Sequence, residues 1–179
     1  MEIKKEKKIA GKTIYNGNIL RLFRDEVEFP DKQKSAREVV EHSGGVSVFA
    51  ENEDGKVLLI KQYRYPVDEV IYEIPAGKLE PDENIEECAK RELREETGYT
   101  AEKFTKLFEF FPTPGYSTET IYIYQAENLQ FVGRDLEEGE YIEVVPKTKK
   151  ELLELFEEGK IKDSKTLIAV MYYLGDFKC

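Results

Sequence analysis

The sequence predicts an α+β or α/β/α chain, with strands first, one helix in the middle and two helices at the end. Three observations carry that prediction. Residues 7–65 divide into short strand-like segments at Asn, Pro, Asp and Gly turn signals. Residues 84–97 repeat apolar side chains at helical spacing. Residues 147–174 hold two further helical segments parted by Gly159.

The elements follow in order. Strands are expected over 7–15, 20–29 and 36–42, with turns at Asn16-Gly17-Asn18 and Pro30-Asp31-Lys32. Gly44-Gly45 opens an apolar strand over 46–51. Asp54-Gly55 is a hairpin turn into a strand over 56–65. A short strand over 71–75 leads to a helix over about 84–97. Asp82 or Asn84 can cap that helix, and Gly98 stops it. Glu87 and Arg91 are spaced to pair on its exposed side. Strands follow over 103–111 and 118–126, and Pro112-Thr113-Pro114-Gly115 between them cannot be regular strand. Residues 133–140 form an acidic loop and 141–146 a strand. A helix over 147–158 points Leu152, Leu155 and Phe156 inward. The last helix covers about 163–174, with Ser164 as an alternative cap.

The chain has 179 residues, enough for one compact domain with a small N-terminal appendage. The boundary is placed between 1–42 and 43–179. Acids outnumber bases 37 to 27, a net charge of −10, which disfavours a nucleic-acid partner because no basic field draws phosphate backbones. The charged N-terminus lacks an apolar leader, and no run approaches membrane length, so a cytoplasmic protein without a membrane partner is expected. Cys88 and Cys179 make a poor disulfide pair, and Cys88 reads as a small core residue.

The chemistry is concentrated in 77–99. At about 100° per residue from Ile85, the side chains of Ile85, Cys88, Ala89 and Leu93 share one side of the helix. Glu92 and Glu96 fall on that same side, with Glu95 at its edge. Ionised oxygen is costly to desolvate, so a positive group must compensate. Three acids within five residues suit hard divalent cations, and hydrolysis at phosphorus is the chemistry such a nest commonly serves.

The same stretch reads G-x5-E-x7-R-E-U-x-E-E-x-G-U, where U is bulky and apolar. Its fixed members are Gly77, Glu83, Arg91, Glu92, Leu93, Glu95, Glu96, Gly98 and Tyr99. The pattern resembles the Nudix box of the Nudix hydrolases at every fixed position. That resemblance implies a mixed sheet sandwiched between helices, and a loop–helix–loop that holds Mg²⁺ or Mn²⁺ and cleaves a diphosphate linked to another group. It makes Glu92 and Glu96 the strongest metal ligands, with Glu95 and the Ala76 carbonyl beside them. Arg91 is expected to orient the glutamates, and Glu83 to hold the loop or the helix start. Gly77 and Gly98 are positions where a side chain or a negative φ is excluded.

Three further features resemble the ADP-ribose pyrophosphatase branch of that family: Glu73-Ile74-Pro75-Ala76-Gly77, Pro114-Gly115, and the end of the acidic loop, Gly139-Glu140-Tyr141-Ile142-Glu143-Val144. The strands before Val46 and Ile161-Lys162-Asp163-Ser164-Lys165-Thr166 also look like that branch. The branch implies ADP-ribose as substrate, AMP and ribose 5-phosphate as products, and a homodimer whose N-terminal strands cross to the partner. Arg37 and Arg64 are the expected diphosphate binders, because a guanidinium fork matches phosphate oxygens. Glu73, Pro114, Gly115 and Glu119 complete the expected substrate-binding set. Glu140 is the expected general base, with Glu137 and Glu138 as competitors, since a loop carboxylate can close over the metals when substrate binds. His42, the single histidine, reads as structural. Two other functions stay open: a Nudix hydrolase of another nucleotide sugar or a nucleoside triphosphate, and a non-catalytic nucleotide-sensing module. All the box glutamates are present, which counts against the second.

Overall fold

The computed structural model describes residues 3–136 and 139–175, and Glu137, Glu138 and Cys179 lie outside them. The chain forms two compact units, Met1–Gly44 with Phe111–Thr120, and Gly45–Phe110 with Ile121–Cys179.

The first unit is an antiparallel sheet of β1 (Lys7–Asn16), β2 (Leu20–Glu28) and β3 (Lys34–His42), in that order. Both expected turns form. Gly17 N–H donates to the Leu20 carbonyl at 3.0 Å, and Lys32 takes a φ of 72° in the second turn. Residues 111–120 return beside β3. Val40 N–H donates to Tyr116 O at 2.7 Å, and Thr118 N–H to Val40 O at 2.9 Å. This pairing is why no strand begins at Thr118, as the sequence had suggested: the backbone there is committed to β3.

The second unit contains β4 (Gly45–Ala50), β5 (Ile60–Arg64), β6 (Glu69–Glu73), β7 (Ala76–Lys78), α1 (Ile85–Thr97), β8 (Tyr99–Phe110), β9 (Ile121–Phe131), β10 (Ile142–Val144), α2 (Lys149–Glu157) and α3 (Ser164–Leu174). A four-stranded mixed sheet runs β7-β4-β9-β8, with β4 and β9 parallel. A three-stranded antiparallel sheet runs β10-β5-β6. β5 is shorter than expected because Val57 is shared between bridges to Glu51 and Lys147. β8 begins earlier and β9 ends later than expected, since their antiparallel pairing continues from Phe110↔Ile121 out to Tyr99↔Phe131.

Side-chain alternation along β4 builds the sandwich. Val46, Val48 and Ala50 pack with Cys88, Ala89 and Leu93 of α1. Phe49 faces the other way, into a cluster with Ile123, Leu152, Leu155 and Val170 beneath α2 and α3. Every residue of β4 is buried, which explains its continuous apolar reading. Leu93 is fully buried, so Leu93→Ala should cost about 2–5 kcal/mol.

The helix ends follow from local chemistry. Asn84, rather than Asp82, caps α1, its side chain accepting from Glu86 and Glu87 N–H. Gly98 stops it at φ 81°. Thr148 and Glu151 form a reciprocal capping box at α2. Asp163, not Ser164, caps α3 by accepting from Thr166 N–H. Among the described residues no helix is long and apolar enough to cross a membrane.

Candidate active site

β7 and α1 place the acids. Glu92 and Glu96 are buried, at 8% and 3% exposure, on the side of α1 that also buries Cys88, Ala89 and Leu93. Glu95 is half-buried at the edge. The helical projection read from sequence therefore describes the folded helix.

Gly77 lies directly beneath Glu92, and a Cβ there would fall within the Glu92 carboxylate. The first glycine of the box is required by this close approach rather than by a positive φ. Ala76 N–H donates to Glu96 Oε2 at 2.8 Å, which fixes the second acid against the same short strand.

Arg91 is the hub of the site. It donates to Glu83 Oε1 at 2.9 Å, to Glu92 Oε1 at 2.6 Å and to Glu95 Oε2 at 3.0 Å, and reaches the Lys78 carbonyl at 3.3 Å. Glu83 also accepts from Glu80 N–H at 3.0 Å, which ties the loop before α1 to the helix. The expected Glu87–Arg91 pair does not form. Glu87 instead pairs with Lys90 at 2.8 Å, because the Arg91 fork turns toward the inner acids.

The electrostatics divide the acids into two groups. The Arg91 hydrogen bond holds Glu83 down at about 2. Burial pushes Glu92 up to about 7 and Glu96 up to about 8. The Glu140 charge contributes to both rises, so the loop carboxylate lies within electrostatic reach of the pair. Burial also raises the Cys88 thiol to about 12, as suits an inert core residue.

A second charged group sits at the end of β5. Arg64 grips Glu73 through two hydrogen bonds, Nε to Oε1 at 2.5 Å and Nη2 to Oε2 at 2.9 Å. Glu73 is 1% exposed and also bonds Lys165 Nζ from the first turn of α3. Burial alone would raise the Glu73 carboxyl, but Arg64 and Lys165 together lower it. Glu96 and Glu73 each feel the other's side of the site, since Glu96 acts on Arg64 and Glu73 acts on Glu96.

Arg64, Glu73, Ala76, Glu92, Glu95, Glu96 and Glu140 thus all belong to the second unit. Arg37, Pro114, Gly115 and Glu119 belong to the first. Arg37 is engaged by Glu6 at 2.5 and 3.0 Å and lies over the Phe29 ring. Pro114-Gly115 sits in a turn closed by Ser117 N–H donating to Thr113 O at 3.0 Å. Glu119 stands 3.7 Å from His42 Nδ1, which accepts from Gly44 N–H, a structural setting for the histidine. Lys165 carries no motif signal of its own within 161–166, and only the fold brings it to Glu73.

The donor set fits a hard divalent cation. Glu92, Glu95 and Glu96 share one helix, Arg91 alone pairs with the first two, and among the described residues no lysine or arginine pairs with Glu96. Among the described residues no group of three acidic, histidine or cysteine side chains is arranged to hold a metal ion.

Comparison with known proteins agrees with this geometry. A family model described as the NUDIX domain matches residues 41–167. An ADP-ribose pyrophosphatase of Bacillus subtilis (strain 168) is 42% identical over 174 residues, 96% of this chain and 94% of the relative. A methanol dehydrogenase activator of Bacillus methanolicus is 41% identical over 93% of this chain and 91% of its own. A GDP-mannose pyrophosphatase of Yersinia enterocolitica is 39% identical over 76% of each. A crystal structure of an ADP compounds hydrolase superposes with a TM-score of 0.84 at 20% identity, covering 96% of this chain and 93% of that one, a likeness of fold.

Proposed function

The chain belongs to the Nudix family as a pyrophosphohydrolase, and from that premise we propose that it hydrolyses ADP-ribose to AMP and ribose 5-phosphate with the aid of Mg²⁺ or Mn²⁺. The observation that carries this reading is the complete inner acid set on α1 over Gly77, in a chain 42% identical to an ADP-ribose pyrophosphatase across nearly its whole length.

Glu92, Glu95, Glu96 and the Ala76 carbonyl would hold the cations. Bound there, a divalent ion polarises phosphoryl oxygens and acidifies water. The chain's own groups do the rest. Glu140 takes a proton from the attacking water. The water oxygen bonds to one phosphorus as the bridging P–O bond opens, and the departing phosphate keeps the electron pair. Arg64, oriented by Glu73, binds the diphosphate and faces the developing charge. We propose Arg37, Pro114, Gly115 and Glu119 of the first unit as further substrate-binding residues, Arg37 exchanging Glu6 for phosphate.

We further assign the enzyme to the cytoplasm and to a homodimer. β1 is exposed along its whole length and carries Ile9 and Ile14, apolar side chains that a second copy would cover.

The test is a substrate panel of ADP-ribose, GDP-mannose and the common nucleoside triphosphates, with AMP and phosphate products quantified in Mg²⁺ or Mn²⁺. ADP-ribose should be the fastest. A nucleotide sugar or triphosphate turned over more than about tenfold faster overturns the substrate assignment.

A further inference from the structure

Arg64 and Glu73 form a bidentate pair, and such a pair alone would be neutral toward a phosphate. The structure adds a second cation to the same carboxylate. Lys165 bonds Glu73 Oε2, the oxygen that also accepts from Arg64 Nη2. Its own placement is strongly determined. Its side chain is 13% exposed, and its ammonium also meets Asp163 Oδ1 at 2.9 Å. Asp163 in turn accepts from Thr166 N–H at 3.0 Å and from the Thr166 hydroxyl at 2.6 Å. Thr166 Oγ1 accepts from Ile74 N–H at 2.9 Å. The first turn of α3 is therefore stitched to the segment that carries Glu73 and leads to Gly77.

Two consequences follow. Arg64 and Lys165 meet two carboxylates, Glu73 and Asp163, so the network is balanced in charge and acts on Arg64 through its geometry. The Glu73 carboxylate, gripped from two sides, also cannot rotate, and the Arg64 fork inherits its orientation. Arg64 itself is 40% exposed at the side chain, open to a ligand on its other edge.

We infer that Lys165 is a positioning residue for the substrate diphosphate: by gripping Glu73 together with Arg64 it fixes the guanidinium fork that Arg64 presents to the phosphates. The inference rests on the diphosphate chemistry proposed above, but not on which nucleotide carries it. A merely structural Lys165 would fill out a buried charge network, and its loss would lower the amount of folded enzyme without altering substrate affinity.

The experiment is steady-state kinetics of Lys165→Met with whichever of ADP-ribose or GDP-mannose the wild type hydrolyses faster. KM should rise about tenfold with kcat within about twofold, the pattern of a lost contact made equally to substrate and transition state. Lys165→Arg should restore KM to within about threefold of wild type, since it returns the charge. In an Arg64→Ala background, Lys165→Met should change KM by less than about twofold, because its effect runs through Arg64. Lys165→Gln, which keeps a hydrogen bond to Glu73 without the charge, replaces the Met variant if that one does not fold. A fall in kcat at unchanged KM overturns the inference, as does an undiminished KM effect without Arg64, or failure of both variants to fold. GDP-mannose outpacing ADP-ribose would refute the substrate assignment and leave this test intact. Hydrolysis of neither would count against both.

Discussion

Gly77 and Glu92 compete for the same space: the carboxylate of Glu92 occupies the position that a side chain on residue 77 would fill. The strand β7 and the helix α1 approach this closely only because residue 77 has no Cβ. Gly77→Ala should push Glu92 out of place, lowering kcat/KM about 100-fold while costing only about 1 kcal/mol of stability. Activity assays beside thermal melts check it, and an alanine variant within twofold of wild-type activity would contradict the geometry.

Glu96→Gln should separate function from stability. The amide can still accept from Ala76 N–H, but it cannot supply the anionic oxygen a cation needs. Turnover should drop at least about 100-fold. In the absence of divalent ions at pH 8, the variant should melt higher than wild type, by roughly a few degrees, because a buried ionised carboxylate has been removed.

The pH dependence has a definite sign. Glu92 and Glu96 titrate near 7 and 8 in the fold, above the ordinary 4.5 of an unfolded glutamate. Between those values the native state binds more protons than the unfolded one, so metal-free stability falls as pH rises from about 5 to 8. Glu83, held at about 2, acts oppositely: its contribution is present above 4.5 and is lost as pH falls toward 2. Melting curves against pH in a chelator should peak near pH ~5. Mg²⁺ should raise the melting temperature more at pH 8 than at pH 6, because its ligands must be deprotonated. A flat profile from pH 5 to 8 would refute the burial argument.

Arg91→Ala removes the cation shared by Glu83, Glu92 and Glu95. The cost should be about 2 kcal/mol at pH 7, less than for a fully buried pair because the guanidinium is 30% exposed. Arg91→Lys should recover only part of it, since one ammonium cannot reproduce a fork bonded to three carboxylates. Chemical denaturation at neutral pH measures both.

Glu140→Gln should lower kcat about 100- to 1,000-fold while leaving Mg²⁺ uptake by calorimetry close to wild type, the outcome for a general base outside the cation set. Equal losses of metal uptake and turnover would instead make Glu140 a ligand.

Much of this was legible in the sequence because it is local. The 3.6-residue period of 84–97 placed Glu92 and Glu96 inward beside Leu93, and the fold buries both. Asn84 and Gly98 bound the helix through hydrogen bonds and a φ that depend on neighbours only. Where the sequence offered two caps, at Asp82 or Asn84 and at Asp163 or Ser164, the choice turned on backbone geometry that composition does not encode. The extents of β8 and β9 are not legible in the sequence, because strand ends are set by the partner strand.

The amino-acid order by itself determined the family, the acid set and the helix that carries it, since these reside in a continuous run whose spacing fixes its own geometry. Only the tertiary structure decided which charge meets which. Arg91 passes over Glu87 for Glu83, and Glu73 finds Lys165, which lies 92 residues further along the chain. An i,i+4 spacing brings two side chains into range, but a flexible arginine chooses the partner whose desolvated charge needs it most, and that need exists only once distant strands and helices have closed around it.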